Sequence, residues 1–149
     1  MLEDALKTHL LSKTQITDVV VDRVWYGDIP PEKDALPDVT FEIVSGKHEP
    51  TVNGDAIDLQ TPIVAFTCRS LVEPTPCIEL AALVRRSLLE FATGATVVTT
   101  YSGSVDVESC DILGEEDDQT LLKDGSEKVV YERMILARIG YRYSTAAVT

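Results

Sequence analysis

Three cysteines and two histidines are the side chains best suited to nucleophilic or metal chemistry in this chain of 149 residues. Cys68, Cys77 and Cys110 are odd in number and none lies in a CxxC pair, so the spacing favours neither a disulfide framework nor a zinc site. We expect reduced, buried thiols. His9 lies in a predicted helix and His48 in a turn-rich stretch, and no nearby residue supplies the nucleophile–base pairing that covalent catalysis needs. We therefore expect no catalytic histidine.

The carboxylates offer two further candidates for chemistry. The run at 115–118 has the oxygen ligands that hard cations prefer but lacks the D-x-D-x-D-G order of a calcium loop, so we interpret it as part of a solvated acidic loop over 113–126. Asp106 and Glu108 lie on one side of a predicted strand, as paired catalytic carboxylates would, yet outward acids alternating with inward valines account for both. Ser45-Gly46-Lys47 resembles the end of a phosphate loop without its upstream glycine. We expect no catalytic, cofactor-binding or metal-binding residue.

The charge balance excludes two classes of partner. There are 13 basic and 25 acidic residues, which gives a net charge of −12 and a pI near 4.4. Specific nucleic-acid binding and binding to an anionic membrane both need a basic face, so we expect neither. The one cationic and aromatic grouping is Arg133, Arg138 and Arg142 with Tyr141 and Tyr143. At this net charge we expect it to face an acidic neighbour or subunit.

The elements that position these residues can be predicted from periodicity and from turn residues. In order they are a helix over 2–13, an extended segment over 19–26, a loop over 27–37, a strand over 39–43, an extended hairpin loop over 46–60, a strand over 63–69, a helix from Thr75 to Gly94, strands over 97–101 and 105–112, the acidic loop, a long strand over 128–143 and a flexible tail over 144–149. Residues 1–149 then form one domain of the α+β class. We expect an antiparallel sheet of about four to five strands with two main helices packed on one face.

Local signals support several of these elements. Thr75 is placed to cap the second main helix, with Pro76 at its first position. The apolar residues at 63–66 indicate a central strand. A shift in the alternation after Val107 indicates a β-bulge near Ser109. On the last strand, side chains point alternately to the two faces of the sheet, so we expect Ile135 on one face and Arg138 on the other.

The order of these landmarks resembles one family. The landmarks are Arg23-Val24-Trp25-Tyr26, Pro30-Pro31, Leu36-Pro37-Asp38-Val39-Thr40-Phe41-Glu42-Ile43, Ser45-Gly46, Thr61 to Cys68, Cys77 to Phe91, Tyr131-Glu132-Arg133 and Leu136 to Tyr143. Together they resemble the siphophage tail completion proteins, also called tail terminator or head–tail joining proteins, whose opening half reads "R-V-Y…P…L-P-Y-V-x-Y". The resemblance covers about residues 2–143. It departs at Arg69, where the family often has an aromatic residue.

This resemblance implies a structural role without catalysis or cofactor. Such proteins form a ring, often a hexamer, at the head-proximal end of a non-contractile tail. The implied partners are further copies of the chain, the major tail tube protein and the head–tail connector or stopper protein. The implied location is the virion, after assembly in the host cytoplasm. DNA would pass through the ring, and acidic residues lining it would repel the phosphates.

The long connections are the predicted contact surfaces, because long unstructured connections in a compact domain are usually functional or disordered. The predicted interface residues are Lys47, His48, Glu49, Asn53, Asp55, Glu115, Glu116, Asp117, Arg138 and Arg142. An alternative remains open at this point. The chain can also be read as a small bacterial α+β module that binds a protein or a ligand without catalysis.

Overall fold

A computed structural model describes residues 2–46, 59–93, 96–100 and 103–145. The elements in these ranges are α1 (Leu2–Leu11), α2 (Thr14–Val20), β1 (Val24–Tyr26), a 3₁₀ turn (Lys33–Ala35), β2 (Asp38–Ser45), β3 (Ile63–Leu71), α3 (Thr75–Leu89), a second 3₁₀ turn (Glu90–Thr93), β4 (Thr96–Thr100), β5 (Gly103–Leu121) and β6 (Val129–Thr145). The α+β class is confirmed. The predicted hairpin loop over 46–60 lies mostly outside the described residues.

Within the described ranges the strands form one sheet in the order β1-β2-β3-β6-β5-β4. Neighbouring strands are antiparallel except β1 and β2, which run parallel, so the sheet is mixed where we expected it to be antiparallel. The central position predicted for β3 is confirmed, since β3 lies between β2 and β6. The bulge near Ser109 is also confirmed, because the pairing of β5 with β6 shifts between Val107 and Ser109.

One face of this sheet carries the apolar core. The strand residues of that face include Phe41, Phe66 and Ile135, which lie side by side on β2, β3 and β6 and are fully buried. Leu80 and Val84 of α3 belong to the same core cluster, and α3 contacts both β3 and β6. We call this the α3 face of the sheet and its reverse the open face. Helix α1 contacts the strands at the two edges, β1 and β4.

Helix α2 corrects the prediction of an extended segment over 19–26. The run Val19-Val20-Val21 favours a strand by propensity, yet Val19 and Val20 end a helix. Ile16 and Val20 stand four residues apart and both are buried, so packing of one helical face outweighs the β-branched preference. Only Val24–Tyr26 is a strand.

The ends of three other elements also differ from prediction. Thr75 is not the cap of α3, because Pro74 takes the N-cap position and no side chain caps the helix. The first helix ends at Leu11, where the Ser12 hydroxyl donates to the His9 carbonyl oxygen at 2.6 Å. Strand β6 continues through Thr145 rather than ending in a tail at Ser144.

The largest correction concerns the acidic loop over 113–126. Residues Glu115, Glu116 and Asp117 lie on β5, which continues to Leu121, and the turn is confined to residues 123–126. The cause is cross-strand pairing with β6, which outweighs the poor β-propensity of Asp and Glu.

Candidate assembly surface

The last third of β5 is a strand with little covering it. We call residues 113–121 the outer segment. Its side chains are exposed on both faces of the sheet, including Leu113 at 44% and Leu121 at 58%. Strand β4 pairs only with residues 103–107, so within the described residues the outer segment pairs with β6 alone. A strand exposed on two faces and one edge gains little from apolar burial, which makes it a candidate contact surface.

The hydrogen-bond phase of the ladder shows which backbone groups lie on that free edge. The Leu122 N–H donates to the Lys128 carbonyl oxygen at 2.8 Å, so this pair is hydrogen-bonded. Bonded and non-bonded pairs alternate in an antiparallel ladder, and the register is continuous from Leu121 to Glu115. Glu115, Asp117, Gln119 and Leu121 therefore direct their backbone N–H and C=O groups outward.

One of these outward donors is satisfied by a side chain. The Gln119 N–H donates to Oδ1 of Asp118 at 2.8 Å. In the interior of a sheet this N–H would donate to a neighbouring strand. The contact therefore agrees with an edge that has no strand partner among residues 2–46, 59–93, 96–100 and 103–145.

On the α3 face, the acids of the outer segment are paired with arginines. Arg133 Nε donates to Asp117 Oδ1 at 2.7 Å and Arg133 Nη2 to Oδ2 at 3.2 Å. These hydrogen bonds lower the pKa of Asp117 and raise the pKa of Arg133. Glu115 Oε1 lies 3.5 Å from Nη1 of Arg85, an exposed residue of α3. The negative charge on this side is therefore largely compensated.

A cavity of about 370 Å³ opens beside these pairs. The first turn of α3 forms one wall and the outer segment the other. The lining residues are Pro74, Cys77, Ile78, Asp117, Asp118, Gln119, Tyr131 and Glu132. Ile78 is 40% exposed although it is a large apolar residue. Its place at this cavity gives the α3 side of the outer segment an apolar wall.

On the open face, the acids of the outer segment lie close to further carboxylates. Asp118 lies directly opposite Glu132 on β6, and Glu116 lies opposite Met134. Within the described residues no cation lies at ion-pair distance from Glu116, Asp118 or Glu132. The pKa of Glu132 is raised, mainly by burial; the charge of Arg69, opposite it on β3, opposes this rise, and the carboxylate of Asp118 adds to it. The two sides of the outer segment thus differ, since on one side the acids are paired with arginines beside the apolar Ile78, and on the other side Glu116 and Asp118 have no cation at ion-pair distance among the described residues.

The other predicted interface residues do not gather at the outer segment. Arg138 and Arg142 lie on the open face further along β6, opposite Asp111 and Asp106. Arg142 Nε donates to Glu108 Oε1 at 3.0 Å, while Arg138 is exposed. Five predicted interface residues lie outside the described residues: Lys47, His48, Glu49, Asn53 and Asp55.

The candidate nucleophiles are in packing positions. Cys68, Cys77 and Cys110 are all buried free thiols. Burial raises the pKa of each, and raises that of Cys110 to about 11, so these thiols remain protonated near neutral pH. The side chain of His9 is buried, its ring packs on Phe91 with centroids 4.1 Å apart, and Nε2 donates to the Ser87 carbonyl oxygen at 2.9 Å.

A buried ion pair on the open face was not predicted. Arg69 donates to Asp38 from Nε at 2.8 Å and from Nη2 at 2.6 Å, and both residues are less than 5% exposed. Arg69 Nη1 also donates to the Ile29 carbonyl oxygen at 2.6 Å, which attaches the loop over 27–37 to the sheet. The signal available in the sequence was an arginine inside an apolar central strand.

Membrane helices and metal clusters are absent from the part of the chain that the structure describes. No helix of the described residues has the length and apolarity that crossing a membrane requires. Among those same residues, no three His, Cys, Asp or Glu side chains are grouped as metal ligands. Comparison of the chain with protein-family models and with curated proteins gave no match.

Proposed function

We propose that this protein is a structural component of a phage or prophage tail that caps the tail tube and joins it to the head connector, acting as a ring. The observation that carries the proposal is the outer segment of β5, residues 113–121, which is an ordered strand exposed on two faces and one edge. The resemblance in the order of sequence landmarks over residues 2–143 supports a phage tail as the assembly.

A ring requires two different patches on each subunit, because its contacts are heterologous and must close. The outer segment is one patch with a free edge and a strongly acidic side. Arg138 and Arg142 of β6 lie apart from it on the open face, and Arg138 is exposed. An exposed arginine away from the acidic segment supports head-to-tail contacts between copies or with the tube and connector proteins.

The alternative is a small bacterial binding module. The cavity of about 370 Å³ beside α3 favours it, since ligand sites are concave and partly apolar with a few polar groups. In this alternative the partner is a protein or ligand of the cell and no tail is involved.

A polymerisation experiment tests the proposal. The tube protein encoded in the same phage or prophage genome is polymerised with and without the purified protein, and tube length and end density are measured by electron microscopy. We expect short tubes with a ring at one end. Tubes of unchanged length without end density would favour the binding-module alternative.

Two matched double variants test whether tube capping depends on the outer segment. Glu116→Lys with Asp118→Lys reverses two charges on the outer segment, and we expect it to lose tube capping. Glu32→Lys with Asp34→Lys makes the same change in net charge at exposed residues of the loop over 27–37, and we expect capping to persist. Equal behaviour of the two double variants would remove the outer segment from the proposal.

A further inference from the structure

We propose that the outer segment binds an extended segment of another protein by strand addition, and that the side chains of this partner alternate between basic and apolar. The inference deepens the proposed function and rests on it only for the identity of the partner. Its basis is the juxtaposition of a free strand edge, a side where the acids are paired with arginines beside the apolar Ile78, and a side where Glu116 and Asp118 have no cation at ion-pair distance among the described residues.

The backbone provides the first step. Glu115, Asp117, Gln119 and Leu121 present their N–H and C=O groups along the free edge. An extended chain laid there would continue the ladder of the sheet, as in other cases of β-strand addition. It would also take over the Gln119 N–H that Asp118 now accepts.

The α3 side sets one half of the side-chain pattern. An added strand would place every second side chain on the α3 face, next to the cavity of about 370 Å³ that Ile78 lines. Arg133 and Arg85 already pair with Asp117 and Glu115 there. A further cation would be repelled by these arginines, whereas an apolar side chain would bury against the wall of α3.

The open face sets the other half. The remaining side chains of the added strand would lie next to Glu116 and Asp118. Glu132 lies on the far side of Asp118, on β6. These carboxylates have no cation at ion-pair distance within the described residues. Basic side chains would supply that charge and would lower the pKa of Glu132, which burial now raises.

The same charges argue against a second copy as the occupant. Two outer segments paired edge to edge would bring Glu115, Glu116, Asp117 and Asp118 of both chains together. Like charges directly opposite on adjacent strands are destabilising, so this edge-to-edge pairing is disfavoured whether or not copies meet through other surfaces. We therefore assign the edge to a different protein with a basic segment.

The test uses a capped synthetic peptide of alternating lysine and valine. Its binding is followed by NMR and by hydrogen exchange at the amides of Glu115, Asp117, Gln119 and Leu121. We expect those amides to shift and to exchange more slowly when the peptide binds. A peptide with the same composition in two blocks, lysines then valines, should bind about tenfold more weakly or worse, and one of alternating glutamate and valine should not bind.

Two variants at one position separate strand addition from general charge attraction. Gln119→Pro removes the outward N–H without removing a bond to β6, so we expect about a tenfold loss of affinity for the alternating peptide. Gln119→Ala keeps the N–H and should bind as the native chain does. A circular dichroism spectrum establishes that both variants are folded.

Several results would overturn the inference. One is no binding of the alternating peptide at about 1 mM, and another is equal binding of the block peptide. A third is protection of the four amides from hydrogen exchange in the protein without peptide. If that protection increases with protein concentration, a second copy of the chain is the occupant. Each of these results leaves the tube-capping experiment untouched, so failure of strand addition and failure of the proposed function can be told apart.

Discussion

Arg69 and Asp38 form a two-pronged ion pair inside the sheet, with donor–acceptor distances of 2.8 and 2.6 Å. They are 31 residues apart in the chain and lie directly opposite each other on β3 and β2. The third hydrogen bond of the guanidinium group, to the Ile29 carbonyl oxygen, holds the loop over 27–37 against the open face. One side chain thus connects the central strand, its neighbour and a loop of 11 residues that carries three prolines.

Removal of one partner of this pair should be strongly destabilising. Arg69→Met leaves the Asp38 carboxylate buried and unpaired, and we expect about 3–5 kcal/mol loss in the free energy of unfolding. The double change Arg69→Met with Asp38→Leu removes both charges and should cost less than either single change. Urea unfolding measures all three. A surface pair serves as the control, since Arg142→Ala should cost about 1 kcal/mol or less.

His9 should make the stability depend on pH. Burial lowers its pKa below the ordinary 6.5, and the side chain packs against the last turn of α3. The unfolded chain therefore takes up a proton before the folded chain does. Stability is fully present above pH 6.5 and falls as the pH drops below it toward the lowered pKa of the folded state.

The measurement for His9 is the free energy of unfolding at several pH values from about 7.5 to 5.5. We expect the fall to be absent in His9→Gln, whose side-chain amide can still donate to the Ser87 carbonyl oxygen. His48→Gln is the matched control and should retain the pH dependence. A fall of the same size in the native chain and in His9→Gln would contradict the assignment.

Val72 should be a position where substitution stabilises the chain. Its φ is +72°, a conformation that β-branched residues rarely adopt, and its side chain is 55% exposed. Val72→Asn removes this strain while keeping the backbone N–H that donates to the Val129 carbonyl oxygen at 2.8 Å. We expect a gain of about 0.5–1 kcal/mol, seen as a rise of about 2–4 °C in the melting temperature.

An exposed valine elsewhere provides the comparison for Val72. Val44 is 50% exposed but lies in β2, where a β-branched residue is favoured. Val44→Asn should therefore lower the melting temperature. If both substitutions shift it in the same direction, backbone strain at Val72 is not the cause.

Residues 47–58 should be dispensable for folding but needed for assembly. Gly46 lies against the backbone of Pro62, and Gln60 forms a bridge to Tyr141, so the flanking chain is attached on both sides. Replacement of 47–58 by a short glycine–serine linker should leave a monomer with native circular dichroism and impair ring formation on tail tubes. Light scattering and electron microscopy measure the two outcomes. Unchanged ring formation would exclude this segment as a contact.

Periodicity was sufficient to predict most of the sheet and the longest helix. Strand β3 was predicted from its continuous apolar run and β6 from its alternation, and the predicted faces of β6 are confirmed, since Ile135 is buried and Arg138 is exposed. Helix α2 was missed because three successive valines carry a strand preference that only tertiary packing overrides. The parallel edge strand β1 was missed because its pairing with β2 depends on contacts that no local pattern contains.

The candidate site could be predicted only in part. Glu115, Glu116 and Asp117 were predicted to be contact residues, which stays a prediction, and were assigned to a loop, because acids are poor strand formers and Arg133 is 16 residues away from Asp117. Nothing local indicates the opposition of Asp118 and Glu132, which depends on the register of β5 with β6. The ion pair with Asp38 shows how the charge of Arg69 is accommodated inside the central strand.

The tail-capping proposal is tested most directly by the length of tails in particles that lack this protein. Electron microscopy would compare particles from the native phage or prophage with particles from a deletion strain, with and without a plasmid copy of the gene. We expect overlong tails that are not attached to heads in the deletion strain, and normal particles when the plasmid is present. Normal virions from the deletion strain would contradict the proposal.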